Sequence, residues 1–209
     1  MNILESLRWR YATKKFDNNK ILPQEKIDTL TEAFNLTATS YGLQPLKLVV
    51  IRDKKLQKKL TQHSWNQQQV ADASHVLIFC IENVVGEEYI AKYFDNVKTT
   101  RNTPDEILNP FKEQLVDSFK NKPLEEISIW AAKQAYLAMG NLLTVCAIEQ
   151  IDACPMEGFV PEKYDELLKL ADLGLSSVLV LPVGYRAQDD IFSDLKKVRK
   201  DITDTVITM

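Results

Sequence analysis

ISIWAAKQAYLAMGNLLTVCAIEQI, residues 127–151, is the longest apolar segment of the chain, and its reading decides how the rest is arranged. It is opened by Glu125 and Glu126 after Pro123. Lys133, Gln134, Asn141 and Glu149 interrupt it, so it is not a membrane span. Alanines and Gly140 let another backbone approach closely. A helix apolar on nearly every side is a central core helix, or one buried at a subunit interface.

Working outward, Leu46–Ile51 after Pro45, Val76–Ile81 and the run SSVLVLPVG at 176–184 read as strands, with a short one at Ile151–Ala153. Asn2 caps a first helix with Glu5 as its box partner and Ile3, Leu4 and Leu7 on its apolar side. Residues 23–36 read as a second helix, with Ile27, Leu30, Ala33 and Phe34 on one face. Residues 54–62 suit a surface helix, and 164–171 are amphipathic. From Gly86 to Pro123 the pattern is helical, and the apolar rhythm lapses at 99–104. The tail, 201–209, alternates polar and apolar and ends in Val206-Ile207-Thr208-Met209, which suits an edge strand. Strands alternating with longer helices predict an α/β or α+β sandwich with helices covering a sheet. No repeat, low-complexity tract or linker divides the chain, so 1–209 reads as one domain.

A chain of 209 residues suits a single large core. Net charge of −3 and a pI near 5.5 argue against nucleic acid or an anionic membrane as the principal partner. Residues 2–8 are charged too early for a signal peptide. Cys80, Cys146 and Cys154 form no CxxC, which predicts reduced, buried thiols in a cytoplasmic protein. His63 and His75 have no second ligand at i+3 or i+4, so no metal site is expected. Six glycines among 209 residues are under half the usual ~7%. Neither GxGxxG nor GxxxxGK[ST] occurs, so any bound phosphate must be held by side-chain cations.

Those cations cluster at the two ends. Arg8, Arg10, Lys14 and Lys15 bracket Trp9 and Tyr11, and in a helical turn Arg10 and Lys14 would share a face. An arginine fork and a lysine point charge together suit a phosphate and a polarisable ring edge. Lys196-Lys197-Val198-Arg199-Lys200 is the second cluster. In an acidic chain, two such clusters suggest one anion held between them.

With these segments in order, the chain resembles the FMN-dependent nitroreductase family, of the oxygen-insensitive, dihydropteridine reductase-like type. The resemblance spans essentially the whole length. It rests on RYATKKFD at 10–17, TATSYGLQP at 37–45, WNQQQVADASHV at 65–76, WAAKQAYLAMGNLL at 130–143, ACPMEGF at 153–159 and KKVR at 196–199. It implies a mixed central sheet covered by helices. It also implies a homodimer with FMN at the subunit interface and a C-terminal strand exchanged between subunits. Arg10, Lys197 and Arg199 match the phosphate-binding cations, with Tyr11 and Ala12 in the same cofactor-binding stretch. Lys14 matches a cation near the flavin pyrimidine and ribityl chain, and Asn66 and Gln69 the polar pair at those edges. Pro155, Met156, Glu157 and Gly158 match a loop against the ring, where the N–H groups of Glu157 and Gly158 would bond N5 and O4. Thr39, Ser40 and Gly42 match a loop from the other subunit.

Three positions depart from the family pattern. Ala12 stands for a serine, Gly42 for an asparagine, and Gln69 for a second lysine, which bears on flavin potential and substrate choice more than on FMN binding. Tyr41, Arg101 and Phe119 are candidate substrate-side residues, Arg101 for a dinucleotide phosphate. Phe119, Phe111 and Tyr93 read as core before pocket roof. Trp65 and Trp130 read as core anchors, Cys154 as an inert packing residue, and Glu157 as acting through its backbone. His75 reads as starting a strand and satisfying a backbone group.

The implied activity is ping-pong, two-electron reduction of nitroaromatics, quinones or similar acceptors, with NADH or NADPH as reductant. No protein acid or base is required, because the flavin carries the chemistry. Two other classes stand beside it: a non-catalytic flavin-binding carrier or regulatory dimer, and a flavin-free nucleotide or sugar-phosphate binder.

Overall fold

Six apolar residues in a row, Val76–Ile81, leave no polar face to turn to water, and the fold covers both sides of the strand they form. The computed structural model describes residues 2–209. In chain order its elements are α1 (Ile3–Trp9), α2 (Gln24–Asn35), a 3-10 turn (Ser40–Gly42), β1 (Leu46–Ile51), α3 (Lys54–Gln62), α4 (Gln69–Asp72) and β2 (His75–Glu82). There follow α5 (Glu87–Arg101), α6 (Asp105–Lys120), α7 (Leu124–Ile148), β3 (Asp152–Ala153), α8 (Pro161–Leu168), β4 (Leu175–Gly184) and α9 (Ile202–Thr205).

The sheet runs β1-β2-β4-β3. Side chains of a strand alternate between faces, and β2 does so cleanly. Leu77 and Phe79 join Leu30 of α2 and Ala131, Ala135, Ala138 and Leu142 of α7. Val76, Ile78 and Cys80 join Leu60, Val70, Tyr164 and Phe159 on the other side. A third cluster, Ile90, Phe94, Leu115, Phe119 and Ile127, packs α5 and α6 against the start of α7. The alanines of α7 let it lie directly on the sheet. Its other face leaves Ile129, Tyr136, Leu137 and Ile148 exposed.

The structure corrects several expectations. All ladders between named strands are antiparallel, and the parallel component of the mixed sheet is one bridge, Ala12 to Ala153. The tail adds no strand to its own sheet, because residues 202–205 close one helical turn and the residues after it stay exposed. The capping box of α1 forms as read, with the Glu5 N–H donating to Asn2 at 3.0 Å and the Asn2 N–H to Glu5 at 2.9 Å. Its apolar side chains Ile3, Leu4 and Leu7 nevertheless face outward, and small Ser6 is the buried residue of that helix. The lapse at 99–104 is a sharp turn, with Asn102 left-handed at φ 53° between α5 and the Pro104 that caps α6.

His75 starts β2 as expected, but its partner is a side chain. The Leu22 N–H donates to the Ser74 hydroxyl at 2.7 Å, and that hydroxyl lies 2.9 Å from His75 Nδ1. Burial, reinforced by the charges of Arg52 and Lys54, lowers the imidazole pKa to about 4 from an ordinary 6.5. Between those values the unfolded chain holds the extra proton and the folded chain does not, so stability falls as pH falls through that window. Urea unfolding at pH 7, 6 and 5 is expected to show this loss, approaching about 3 kcal/mol by pH 4. His75→Asn should flatten that slope. An equally steep slope in the variant would assign the loss to other groups.

Candidate functional site

After Trp9 the backbone turns extended, with Arg10 at φ −69° and ψ 143°, and residues 10–17 form a strap along the sheet edge. The Thr13 N–H donates to Ala153 O at 3.2 Å, the Asp17 N–H to Tyr185 O at 2.8 Å, and the Ala187 N–H to Lys15 O at 2.9 Å. Arg10 and Lys14 therefore do not share a helical face. In an extended chain even spacing likewise keeps residues on one side, and both line the same cavity.

Two buried carboxylates fix the strap to the C-terminal segment. Asp190 accepts from the Tyr11 hydroxyl at 2.8 Å, from the N–H groups of Lys14 and Lys15 at 3.0 and 3.1 Å, and from the Phe192 N–H at 3.1 Å. Burial opposes its ionisation, but these bonds outweigh it and hold its pKa below the ordinary value. Burial and the bond to Asp190 in turn push the Tyr11 phenol up. Asp152 accepts from the Arg186 N–H at 2.8 Å and from Arg186 Nε at 2.7 Å. The Arg186 guanidinium lies 4.4 Å from the Trp9 ring centre and 4.6 Å from that of Tyr11.

Between the strap and the C-terminal segment lies a cavity of about 500 Å³, to which Arg8, Arg10, Lys14, Lys196, Lys197 and Arg199 contribute. Among the described residues none of the six forms an ion pair. Lys197 Nζ donates to the Arg10 carbonyl. Burial and the charge of Arg199 lower the Arg10 pKa, and burial, then Arg10 and Arg199, lower that of Lys197. Like charges crowded this way disfavour one another until an anion enters. A phosphate monoester fits this donor set, with side chains in place of a glycine loop.

Next to Pro155, which also lines the cavity, Lys14 Nζ and Gln69 Nε2 both lie 3.9 Å from the buried Cys154 sulfur. Burial raises the Cys154 pKa, so the thiol is held protonated. Asn66 is exposed in the left-handed region at φ 56°. Met156 pairs with Val180, its N–H donating at 2.8 Å and its carbonyl accepting at 3.1 Å. Among the described residues, the N–H groups of Glu157 and Gly158 donate to nothing within the chain. A cofactor with a polar ring edge would find two free backbone donors there.

The remaining candidates lie elsewhere in the chain. Thr39 and Gly42 line two adjoining cavities of about 290 and 420 Å³, and Arg101 lines the larger of them, with Tyr93 and Asn96. Neither cavity includes Arg10 or Arg199. The Ser40 N–H donates to Gln134 Oε1 at 2.8 Å. Tyr41, at φ 59°, sets its ring 6.2 Å from Phe119 and 6.3 Å from Trp130. Phe119 is buried beneath those two rings, so within one chain it presents no face to a substrate. Trp65 is corrected from a core anchor to an exposed residue at φ 53°, lying over Gly158. Sequence reasoning missed Asp190, Asp152, Arg186, Gln67 and Tyr136. Each acts on a residue far away in the chain, and no local pattern signals such a partner.

A family model described as the nitroreductase family matches residues 7–185. Three similar proteins are described as a "putative nitroreductase" or "putative NAD(P)H nitroreductase". One, from Staphylococcus aureus (strain bovine RF122 / ET3-1), is 33% identical over 98% of this chain and 95% of its own. A solved structure from Bacillus subtilis has a TM-score of 0.88 at 20% identity, covering 99% of this chain and 98% of that one. Another, from Exiguobacterium sibiricum 255-15 in complex with FMN, has a TM-score of 0.84 at 18% identity, covering 100% and 98%. At those identities the two structures establish a shared fold.

Removing the Asp190 carboxylate strips four donors of their acceptor. Asp190→Ala is expected to cost about 3 kcal/mol and to lower the melting temperature by about 6–12 °C. Tyr11→Phe, which removes one of the four bonds, should cost about 1 kcal/mol. Calorimetry on the two variants checks this, and a melting point unchanged in Asp190→Ala would refute the strap assignment.

Proposed function

The chain belongs to the nitroreductase family, and from that premise we propose that it is an FMN-dependent NAD(P)H oxidoreductase, a single domain over 1–209 that works as a homodimer. The observation that carries the reading is the cavity in which unpaired cations from both ends of the chain meet. Arg10, Lys197 and Arg199 would hold the FMN phosphate. Lys14, Gln69 and Asn66 would meet the pyrimidine and ribityl side, and the loop 155–158 the ring edge. Bound FMN supplies two-electron chemistry, accepting from NADH or NADPH and giving to a nitroaromatic, quinone or similar electron-poor acceptor in turn.

The chain's own part is binding and electrostatics. Lys14 sets a positive charge beside Cys154, where it would favour negative charge on the pyrimidine. The neighbouring thiol, buried and protonated, takes no proton from substrate. His75 bonds Ser74 at the start of β2 and holds no place in the cavity. Among the described residues no cluster of His, Cys, Asp and Glu could hold a metal, and no helix is long and apolar enough to cross a membrane. Three free, buried cysteines suit a reducing, cytoplasmic compartment.

The dimer is supported by what one chain leaves uncovered. Ile3 and Leu4 on α1, Ile129 and Leu137 on α7, and Val206 and Ile207 on the tail are exposed. A second copy would give these side chains a surface to cover them. That copy could bring its own Thr39, Ser40 and Gly42 to the cationic cavity and take up the tail as an edge strand. Tyr41 and Arg101 would then come from the partner side as substrate contacts.

The purified protein is expected to be yellow, to bleach anaerobically with NADH or NADPH, and to recolour with a nitroaromatic or quinone. Arg199→Ala should weaken FMN binding about 10- to 100-fold, from the 1.5–3 kcal/mol of a charge-assisted bond. His75→Ala should keep its flavin. Equal occupancy in wild type and Arg199→Ala would remove the phosphate assignment. A yellow protein that neither nucleotide bleaches would favour the carrier or regulatory reading.

A further inference from the structure

Glu157 and Gly158 have five polar groups between them, and three are tied down. The Phe159 N–H donates to Glu157 O at 2.9 Å. The Glu157 carboxylate accepts from the Tyr136 hydroxyl, on the exposed side of α7, at 2.8 Å. Gly158 O accepts from Gln67 Nε2 at 3.0 Å, and Gln67 is itself held, its Oε1 accepting from Gln69 Nε2 at 2.9 Å. Only the two N–H groups are left over.

We propose that Gln67 and Tyr136 are positioning residues, clamping this dipeptide from opposite sides so that its two free backbone donors stay fixed for the polar edge of a flat, heteroatom-bearing ring. That the ring is a flavin rests on the reading above; the clamp itself is a property of the chain. Three observations make it more than loop packing. With the Phe159 N–H on Glu157 O, the clamp leaves only the two N–H groups of the dipeptide without a partner in the chain, and Gly158 is half-buried, open enough for a ligand to reach them. Gln67 can reach only because position 158 lacks a Cβ, which would stand 2.9 Å from Gln67 Nε2 and 2.9 Å from the Trp65 ring. The backbone that delivers Gln67 is strained, with Trp65 and Asn66 both left-handed at φ 53° and 56°. Such strain persists where the surroundings enforce it, and a bulky tryptophan rarely adopts this conformation.

On this reading the clamp acts on the ring end of a ligand and Arg10, Lys197 and Arg199 on its phosphate, and that separates it from a general effect on folding. Binding of FMN and of riboflavin, which lacks the phosphate, is measured on wild type, Gln67→Ala and Tyr136→Phe, together with competition by inorganic phosphate. Each variant should weaken FMN and riboflavin alike, about tenfold, and leave phosphate competition unchanged. Arg199→Ala should weaken FMN and phosphate and spare riboflavin. Equal loss for all three ligands in the clamp variants, or loss for none, would overturn the proposal. Should wild type bind neither flavin, the FMN reading fails, and the clamp is judged on the protein alone. Backbone ¹⁵N relaxation should then show residues 157 and 158 more mobile in both variants, and unchanged relaxation would overturn the clamp as well.

Discussion

Four hydrogen bonds to the Asp190 carboxylate hold the two ends of the chain together, and the charged groups of the cavity ride on the segments those bonds fix. Three come from the strap, through Tyr11, Lys14 and Lys15, and one from Phe192 on the way to the second basic cluster. The carboxylate stays ionised because its acceptors are filled. It also supplies a negative charge behind a wall of cations. Without it, Arg10 and Lys14 on one side and Lys197 and Arg199 on the other would repel with nothing to hold them in register. The ion pair of Asp152 with Arg186, whose guanidinium lies over Trp9 and Tyr11, adds a second lock on the same strap.

A glycine loop offers a phosphate backbone N–H groups and a helix dipole; this chain offers side-chain charge. The two solutions differ in what must be prepaid. Long cationic side chains lose rotamer freedom on binding and repel before it. The locks offset the second cost by fixing the backbones, and the Lys197 bond to the Arg10 carbonyl fixes one of the side chains. Preorganisation of that kind is what raises affinity for a given set of contacts.

Much of the architecture was legible in the sequence because it rests on local pattern. Val76–Ile81 had to be covered on both faces, the 127–151 segment had to be central, and Asn2 with Glu5 had to cap a helix. The meeting of residue 10 with residue 199 was legible as well, from charge alone. Helix α1 and Trp65 misled for a common reason: their apolar side chains read as packing within the chain, whereas Ile3, Leu4 and Trp65 are exposed in it. The tail, read as an edge strand, closes one helical turn at 202–205 and leaves Ile207 exposed. Asp190 and Asp152 were illegible because nothing in Gln188-Asp189-Asp190 or Ile151-Asp152-Ala153 distinguishes a structural hub from a surface or strand-end carboxylate. Only the contacts with Tyr11 and Arg186 do that, 179 and 34 residues away in the chain.

Helix α7 gives the two separated groups of candidate residues a common frame. Its inward side chain Gln134 accepts the N–H of Ser40, holding the 39–42 loop, and Asn141 donates to Ala33 O at 3.0 Å and to the Thr37 hydroxyl at 2.9 Å, holding the approach to it. Two residues on from Gln134, Tyr136 points the other way and grips Glu157 of the 155–158 loop. One rigid helix therefore sets both loops, the 39–42 loop through Gln134 and the 155–158 loop through Tyr136. In the homodimer proposed above, a pairing through the outer faces of two α7 helices would let each chain's 39–42 loop serve the other's cavity. The apolar residues on this outer face, Ile129, Leu137 and Ile148 among them, are what the proposed pairing would cover, on a helix apolar on nearly every side whose own core covers only one.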